Sequence, residues 1–183
     1  MVKRNDYRPG GFTMPEKVLN VLFICSTNCS RSIIAEAVLN REGDGRFRGY
    51  SAGSLPSGTV HNDTLGVLKR LGFDTTALRC KSWEEFATPD APHMDFIFTL
   101  CDDAAGESCP VWPGHPVSAH WGIEDPVSID DDARDHAICQ ALHFLENRIS
   151  LFTSLPFEQL DKIALHEEVA NIGRIAGAST APA

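Results

Sequence analysis

Long apolar runs are missing from this 183-residue sequence, and none approaches the ~20 residues that a membrane-spanning helix requires. The basic residues near the start are not followed by the apolar stretch of a signal peptide. Positive charge is also scarce, because 16 Lys and Arg residues stand against 25 Asp and Glu residues, for a net charge of −9. These absences argue against a membrane protein and against nucleic acid as the main partner. We therefore expect a cytoplasmic location.

Cysteine, in contrast, occurs six times. In a small secreted protein this number would suggest a disulfide framework, whereas in a cytosolic chain of this size it favours thiol chemistry or a metal site. The hydrophobic content of 43% and the charged content of 22% are ordinary for a globular protein, and the length suits one domain. Thiols in a single globular domain are therefore the first candidates for function.

Short apolar runs alternate with helical patterns along the chain, which predicts an α/β fold built on an open parallel sheet. The predicted strands are residues 18–25, 48–53, 94–100 and 117–121, and the predicted helices are residues 31–41, 64–71, 133–152 and one within 156–176. We divide the chain into a flexible arm (1–16), the α/β domain (17–153) and a C-terminal extension with one helix (154–183). Ligands of such sheets bind beyond the carboxyl ends of the strands.

The strongest functional signal is the loop between the first strand and the first helix, which we call the anion loop. It consists of Cys25, Ser26, Thr27, Asn28, Cys29, Ser30, Arg31 and Ser32. Backbone N–H groups and the helix dipole at such a position stabilise both a thiolate and an oxyanion. We therefore expect a lowered pKa for the Cys25 thiol and a hydrogen bond from Ser32 to its sulfur. Arg31 is expected to donate hydrogen bonds to two oxygens of a tetrahedral anion. The Asn28 side chain is predicted to hold the loop by hydrogen bonds.

Residues 21–37 resemble the phosphate loop and first helix of the low-molecular-weight protein tyrosine phosphatases and of the arsenate reductases that share their fold. Residues 50–53 and 120–126 resemble the same superfamily, and the similarity runs from about residue 18 to residue 152. The resemblance implies a four-stranded parallel sheet flanked by helices, with Cys25 as nucleophile and Asp125 as general acid. It departs at Thr27, where the family usually carries Gly, and a positive φ would strain a β-branched residue there.

Two segments distinguish the activities within this superfamily. Phosphatases of this fold usually carry aromatic residues directly after the Asp-Pro of the acid, whereas Val127 and Ser128 follow here. Residues 99–110 instead resemble the redox segment of the arsenate reductases, in which two further cysteines follow the third strand. The resemblance therefore implies that Cys25, Cys101 and Cys109 form a disulfide relay that reduces arsenate to arsenite. Cys80 and Cys139 are expected to be passive.

Several alternatives stay open at this point. Cys101 and Cys109 are one residue farther apart than we expect in thioredoxin-coupled members, so the reductant is either thioredoxin or glutathione with glutaredoxin. The protein is alternatively a tyrosine or small-ester phosphatase, or a non-catalytic protein that binds oxyanions or senses thiols. We expect no bound cofactor or metal, because Cys101, Cys109, His115 and His120 lack the usual spacing of zinc ligands. A potassium site found in some members is not expected either, because Trp83 stands in place of a carboxylate.

Overall fold

Four parallel strands form the sheet in the computed structural model, which describes residues 17–106 and 111–175. They are β1 (Leu19–Cys25), β2 (Phe47–Gly53), β3 (Phe96–Thr99) and β4 (Val117–His120), in the order β2-β1-β3-β4. This arrangement confirms the predicted sheet. The third strand is shorter than residues 94–100, the range expected from its apolar run.

The helices are α1 (Arg31–Glu42), α2 (Asn62–Arg70), α3 (Asp102–Gly106), α4 (Asp131–Thr153) and α5 (Lys162–Gly173), with a 3₁₀ turn at Trp83–Phe86. Four of them lie where the sequence predicted helices. The exception is α3, which forms where no helix was predicted and begins with two acidic residues, as the helix dipole favours. The predicted N-terminal arm and Cys109 lie outside the described residues. None of the helices described is long and apolar enough to cross a membrane.

The central strand β1 positions the candidate site. Its last five residues are buried, and it pairs with β2 on one side and β3 on the other. In this register Cys25 lies beside Gly53, and Ile24 lies beside Thr99, so three strands end at the same edge of the sheet.

An aromatic cluster packs at the ends of β3 and β4. The rings of Phe98 and Trp121 stack with centroids 4.0 Å apart, and Phe152 of α4 meets both edge-on. Burial of each such side chain contributes roughly 1.5–3 kcal/mol, so the cluster holds the ends of β3 and β4 firmly. The chain leaves β4 through Trp121 and enters residues 121–126, which we call the acid loop.

Candidate active site

The predicted nucleophile, Cys25, is the last residue of β1 and is only 1% exposed. Its sulfur lies 3.0 Å from Ser32 Oγ, so the predicted contact between these two groups is present. The Ser32 backbone amide also bonds to the sulfur. Both contacts come from the first turn of α1, where N–H groups have no partner within the helix.

The ionisation of Cys25 differs from the prediction. Burial raises the pKa of the Cys25 thiol above its ordinary value, and this effect outweighs the hydrogen bonds from Ser32 and the charge of Arg31, which lower the pKa. The expectation of a lowered pKa was wrong for this structure, because a thiolate at such a buried position loses its hydration. The favourable contacts are present, but they offset only part of that loss.

We expect alkylation of Cys25 by iodoacetamide to accelerate as the pH rises through the alkaline range, since the thiolate fraction increases there. Ser32→Ala removes a contact that lowers the pKa of Cys25. The alkylation rate of Cys25 in this variant should therefore rise at higher pH than in the wild type. Mass spectrometry of the Cys25 peptide measures the rate, with the partly exposed Cys139 as internal reference. A Cys25 profile that has already reached its plateau at neutral pH would contradict this account.

The backbone carbonyl groups of the anion loop are bonded to a neighbouring segment of the chain, whereas the amides of residues 27–31 are not bonded to that segment. Its carbonyl groups accept hydrogen bonds of 2.9–3.0 Å from the segment 55–61, in the pairs Ser26 with Leu55, Thr27 with Ser57, and Cys29 with His61. The N–H groups of residues 27–31 meet no acceptor within the described parts of the chain. Amides without an acceptor in the chain, at the start of a helix, are groups that can donate hydrogen bonds to an anion.

Asn28 rather than Thr27 adopts the left-handed conformation, with a φ of 48°. Asn tolerates this region, so the strain anticipated at Thr27 does not arise. The Asn28 side chain is buried, and its amide group donates to Ser32 Oγ at 2.8 Å and to Ser51 Oγ at 2.9 Å. Its carbonyl oxygen accepts from the Lys81 backbone at 2.6 Å. Asn28 therefore holds the loop in the way that the sequence predicted.

A buried ion pair lies behind Asn28. Lys81 Nζ is 2.9 Å from Glu36 Oε2, and the same oxygen accepts a hydrogen bond of 2.5 Å from Ser51. The two side chains are only 6% and 10% exposed. Sequence reasoning missed Lys81. The available signal was Glu36 next to the apolar face of α1, because a buried carboxylate requires a cation or several donors.

Lys81→Met is expected to lower the free energy of unfolding by about 3–5 kcal/mol, because it leaves the Glu36 carboxylate buried without its partner. Adding Glu36→Gln should recover much of the loss, since a neutral amide does not need a cation. Urea unfolding of the single and double variants measures both effects. If the single variant were as stable as the wild type, the ion pair would have no role in supporting the loop.

Arg31 connects the anion loop to the acid loop. Its Nη1 donates to the Ile123 carbonyl at 3.1 Å, and its Nη2 lies 3.0 Å from Asp125 Oδ2. The predicted cation and the predicted acid are therefore in direct contact. Arg31, at the end of the anion loop, thus brings the acid loop against the start of α1.

A second thiol adjoins the nucleophile. Cys101 follows β3, is 4% exposed, and places its sulfur 3.3 Å from both the amide nitrogen and the hydroxyl of Ser26. It also raises the pKa of Cys25, since a negative charge on Cys101 would repel a thiolate at Cys25. The third predicted thiol, Cys109, lies outside the described residues, so its role stays a prediction.

Two further thiols contact Thr27. Cys29 Sγ is 3.0 Å from Thr27 Oγ1, and Cys80 Sγ is 3.4 Å from the Thr27 carbonyl oxygen. Cys80 thus lies against the anion loop, which its distance in sequence did not indicate.

His120 bridges Thr99 and Asp102 at 2.9 and 3.0 Å, and so joins β4 to β3 and α3. Within the described ranges, no cluster of three or more His, Cys, Asp or Glu side chains is placed to hold a metal.

Comparison with known proteins agrees with this geometry. The sequence model of the family described as low molecular weight phosphotyrosine protein phosphatase matches residues 20–162. An arsenate reductase of Bacillus licheniformis is 30% identical over 111 residues, which are 60% of this chain and 76% of that protein. A glutaredoxin arsenate reductase of Synechocystis sp. is 28% identical over 106 residues, covering 58% of this chain and 77% of that one.

A solved structure shows the same relationship. The thioredoxin-dependent arsenate reductase of Corynebacterium glutamicum superposes with a TM-score of 0.57 at 26% identity, over 80% of this chain and 66% of that chain. The family match extends from β1 through α4 and includes the anion loop, Cys101 and the acid loop. The chain therefore belongs to the low molecular weight phosphotyrosine protein phosphatase family.

Proposed function

We propose that this protein reduces arsenate to arsenite, with Cys25 as the nucleophile and Cys101 as the thiol that releases the product. The observation that carries the proposal is the position of the Cys101 sulfur, 3.3 Å from the amide of the residue next to Cys25. Ester hydrolysis needs one thiol, whereas a two-electron reduction needs a second thiol close to the first. The relatives named as arsenate reductases support the same activity.

Arsenate is a tetrahedral oxyanion, and the site offers it two kinds of donor. The amides of residues 27–31 provide N–H groups at the start of α1, and Arg31 provides a planar guanidinium. Arg31 is bonded to Ile123 and Asp125 in this structure, so a bound anion shares the guanidinium with the acid loop. On this proposal the anion binds between the sulfur of Cys25 and the carboxyl of Asp125.

The first step forms a sulfur–arsenic bond. The Cys25 thiolate attacks arsenic(V), the bond from arsenic to one hydroxyl group breaks, and that departing hydroxyl takes a proton from Asp125 and leaves as water. Ser32 stabilises the thiolate before the attack, because its hydroxyl and amide both bond to the sulfur. This step changes no oxidation state, and it has the same form as the attack on a phosphate ester.

The second step is the reduction. The Cys101 thiolate attacks the sulfur of Cys25, a disulfide forms, and the electron pair of the sulfur–arsenic bond passes to arsenic. Arsenic is thereby reduced to arsenic(III) and leaves as arsenite, while two thiols are oxidised to one disulfide. We assign to Cys109 the transfer of this disulfide to an external thiol reductant. One relative is named for thioredoxin and another for glutaredoxin, so both remain candidates.

A phosphatase is the second candidate, because Cys25, Arg31 and Asp125 are sufficient for ester hydrolysis. Two observations favour the reductase. The first is that Val127 and Ser128 follow Asp125-Pro126, where aromatic residues would be needed to hold a phosphotyrosine ring. The second is that Cys101 is buried beside the site, although ester hydrolysis does not require a second thiol.

Parallel assays of the purified protein distinguish the two activities. Arsenite release is measured from arsenate with thioredoxin, and separately with glutathione and glutaredoxin, beside phosphate release from an aryl ester. The proposal requires sustained arsenite release with at least one reductant. Ester hydrolysis without any arsenite would show that the protein is a phosphatase.

A further inference from the structure

Arg148 of α4 is a buried cation that the proposed chemistry does not use. Its side chain is 0% exposed, and burial lowers its pKa to about 10. Its Nη1 donates to the carbonyls of Trp121 and Gly122 at 2.8 and 3.3 Å, and its Nη2 donates to the Ile175 carbonyl at 3.4 Å. No carboxylate of the described residues pairs with it, and its Nε lacks a partner there.

A guanidinium in this position is costly, because burial of a cation without a counter-charge sacrifices its hydration. An apolar side chain of similar volume would avoid that loss. The three carbonyls that Arg148 contacts indicate what is gained in return. Two of them begin the acid loop, and the third belongs to the residue that follows the C-terminal helix by two positions.

The helix α5 contacts the same segment independently. Trp121 Nε1 donates to the Val169 carbonyl of α5 at 2.8 Å. Gly173 packs so closely that an added Cβ would overlap the His120 carbonyl oxygen and lie 2.8 Å from Trp121 Cδ1. The family match ends at residue 162, where α5 begins, so this helix lies beyond the matched part of the chain.

We propose that Arg148 and α5 form a C-terminal brace, consisting of Arg148, Val169, Gly173 and Ile175, that positions the acid loop for proton transfer by Asp125. The brace holds the start of the loop, while Arg31 holds its end through Ile123 and Asp125. Residues of the brace touch no substrate and are positioning residues. The reaction that they serve is the one given above, so this inference rests on the proposed function.

The test compares two glycine-to-alanine variants of helical positions. Gly173→Ala forces α5 away from His120 and Trp121, whereas Gly66→Ala on α2 adds a methyl group to open space. We expect Gly173→Ala to lower kcat for arsenate by about 10–100-fold, as for a misplacement of the acid on the order of 1 Å. Protection of Cys25 from alkylation by phosphate should be unchanged, because the anion loop is untouched. Gly66→Ala should match the wild type in both.

Asp125→Asn distinguishes an effect of Gly173→Ala on the position of Asp125 from a general loss of structure. If the brace acts through the acid, Gly173→Ala should cost nothing further in an Asp125→Asn background. Arg148→Lys is the substitute variant if Gly173→Ala does not fold. It retains the charge but lacks the planar guanidinium that reaches three carbonyls, so it should show the same loss of kcat. A wild-type kcat in Gly173→Ala, or an equal loss with and without Asp125, overturns the proposal.

Failure of the brace and failure of the proposed function give different results. If the wild type releases no arsenite, the same variants are assayed on an aryl phosphate ester, whose leaving group takes a proton from the same acid. Hydrogen exchange adds a readout that needs no activity. The amides of Trp121 and Ile123 bond to β3 and its following residue, and they should exchange faster in Gly173→Ala than in Gly66→Ala. Equal exchange in the two variants would count against the brace whatever the reaction.

Discussion

Cys25→Ser is expected to abolish arsenite release and any ester hydrolysis, with a loss of about 10⁴-fold or more. The reason is that both reactions begin with attack by the same sulfur, and a serine hydroxyl ionises far less readily than a thiol. The change replaces sulfur by oxygen at a position 3.0 Å from Ser32 Oγ, so the hydrogen bond and the loop should survive. Enzyme assays with each substrate measure the loss.

The control for this variant is Cys139→Ser, which changes a partly exposed thiol on α4 and should retain wild-type activity. Cys25→Ser should also still bind phosphate, because the amides of residues 27–31 and Arg31 are unchanged. Residual arsenite release close to the wild-type rate would assign the nucleophile to another thiol, and Cys29 and Cys80 would then be the first to examine.

Cys101→Ser is expected to reduce arsenite release to the level of Cys25→Ser while ester hydrolysis stays near the wild-type rate. Hydrolysis needs only Cys25, Arg31 and Asp125, whereas release of arsenite needs a thiol that attacks the Cys25 sulfur. The serine hydroxyl can keep the contacts that Cys101 makes with Ser26, so the fold should be little affected. Arsenite and phosphate release are measured side by side on the same preparation.

Thioredoxin should be the sole reductant in this assay, because a small thiol such as glutathione can attack the Cys25 adduct directly and hide the defect. If Cys101→Ser released arsenite with thioredoxin at the wild-type rate, the relay would be wrong. Retained hydrolysis in that case would make the phosphatase the better account of this site.

The residues that sequence analysis located correctly are those whose signals are local. The buried run that ends at Cys25, the small polar loop and the helix from Arg31 are adjacent in sequence, and each has its own periodicity. The five-residue helix α3 is too short to show a helical period, so it was missed. The position of the positive φ was also missed, because the Gly that the family usually carries drew attention to Thr27, although Asn28 tolerates this conformation better.

The remaining features arise from contacts between distant segments. Glu36 and Lys81 are 45 positions apart, and Arg148 reaches carbonyls 26 or 27 positions away on either side. The pKa of Cys25 depends on how deeply the finished fold buries the end of β1, which the residues around the thiol do not reveal. Local sequence patterns therefore predicted the anion loop. The distant residues that hold it and the pKa of Cys25 could be read only from the three-dimensional structure.

The most direct test of the central claim is a single turnover without any external reductant. Reduced protein is mixed with excess arsenate, arsenite is counted per protein chain, and the spent protein is mapped under non-reducing conditions. The account predicts about one arsenite per chain. It also predicts that the Cys25 peptide becomes linked to Cys101, or to the further disulfide that Cys109 forms from it. Absence of arsenite, with all the thiols still free and an aryl phosphate ester hydrolysed by the same preparation, would contradict the account.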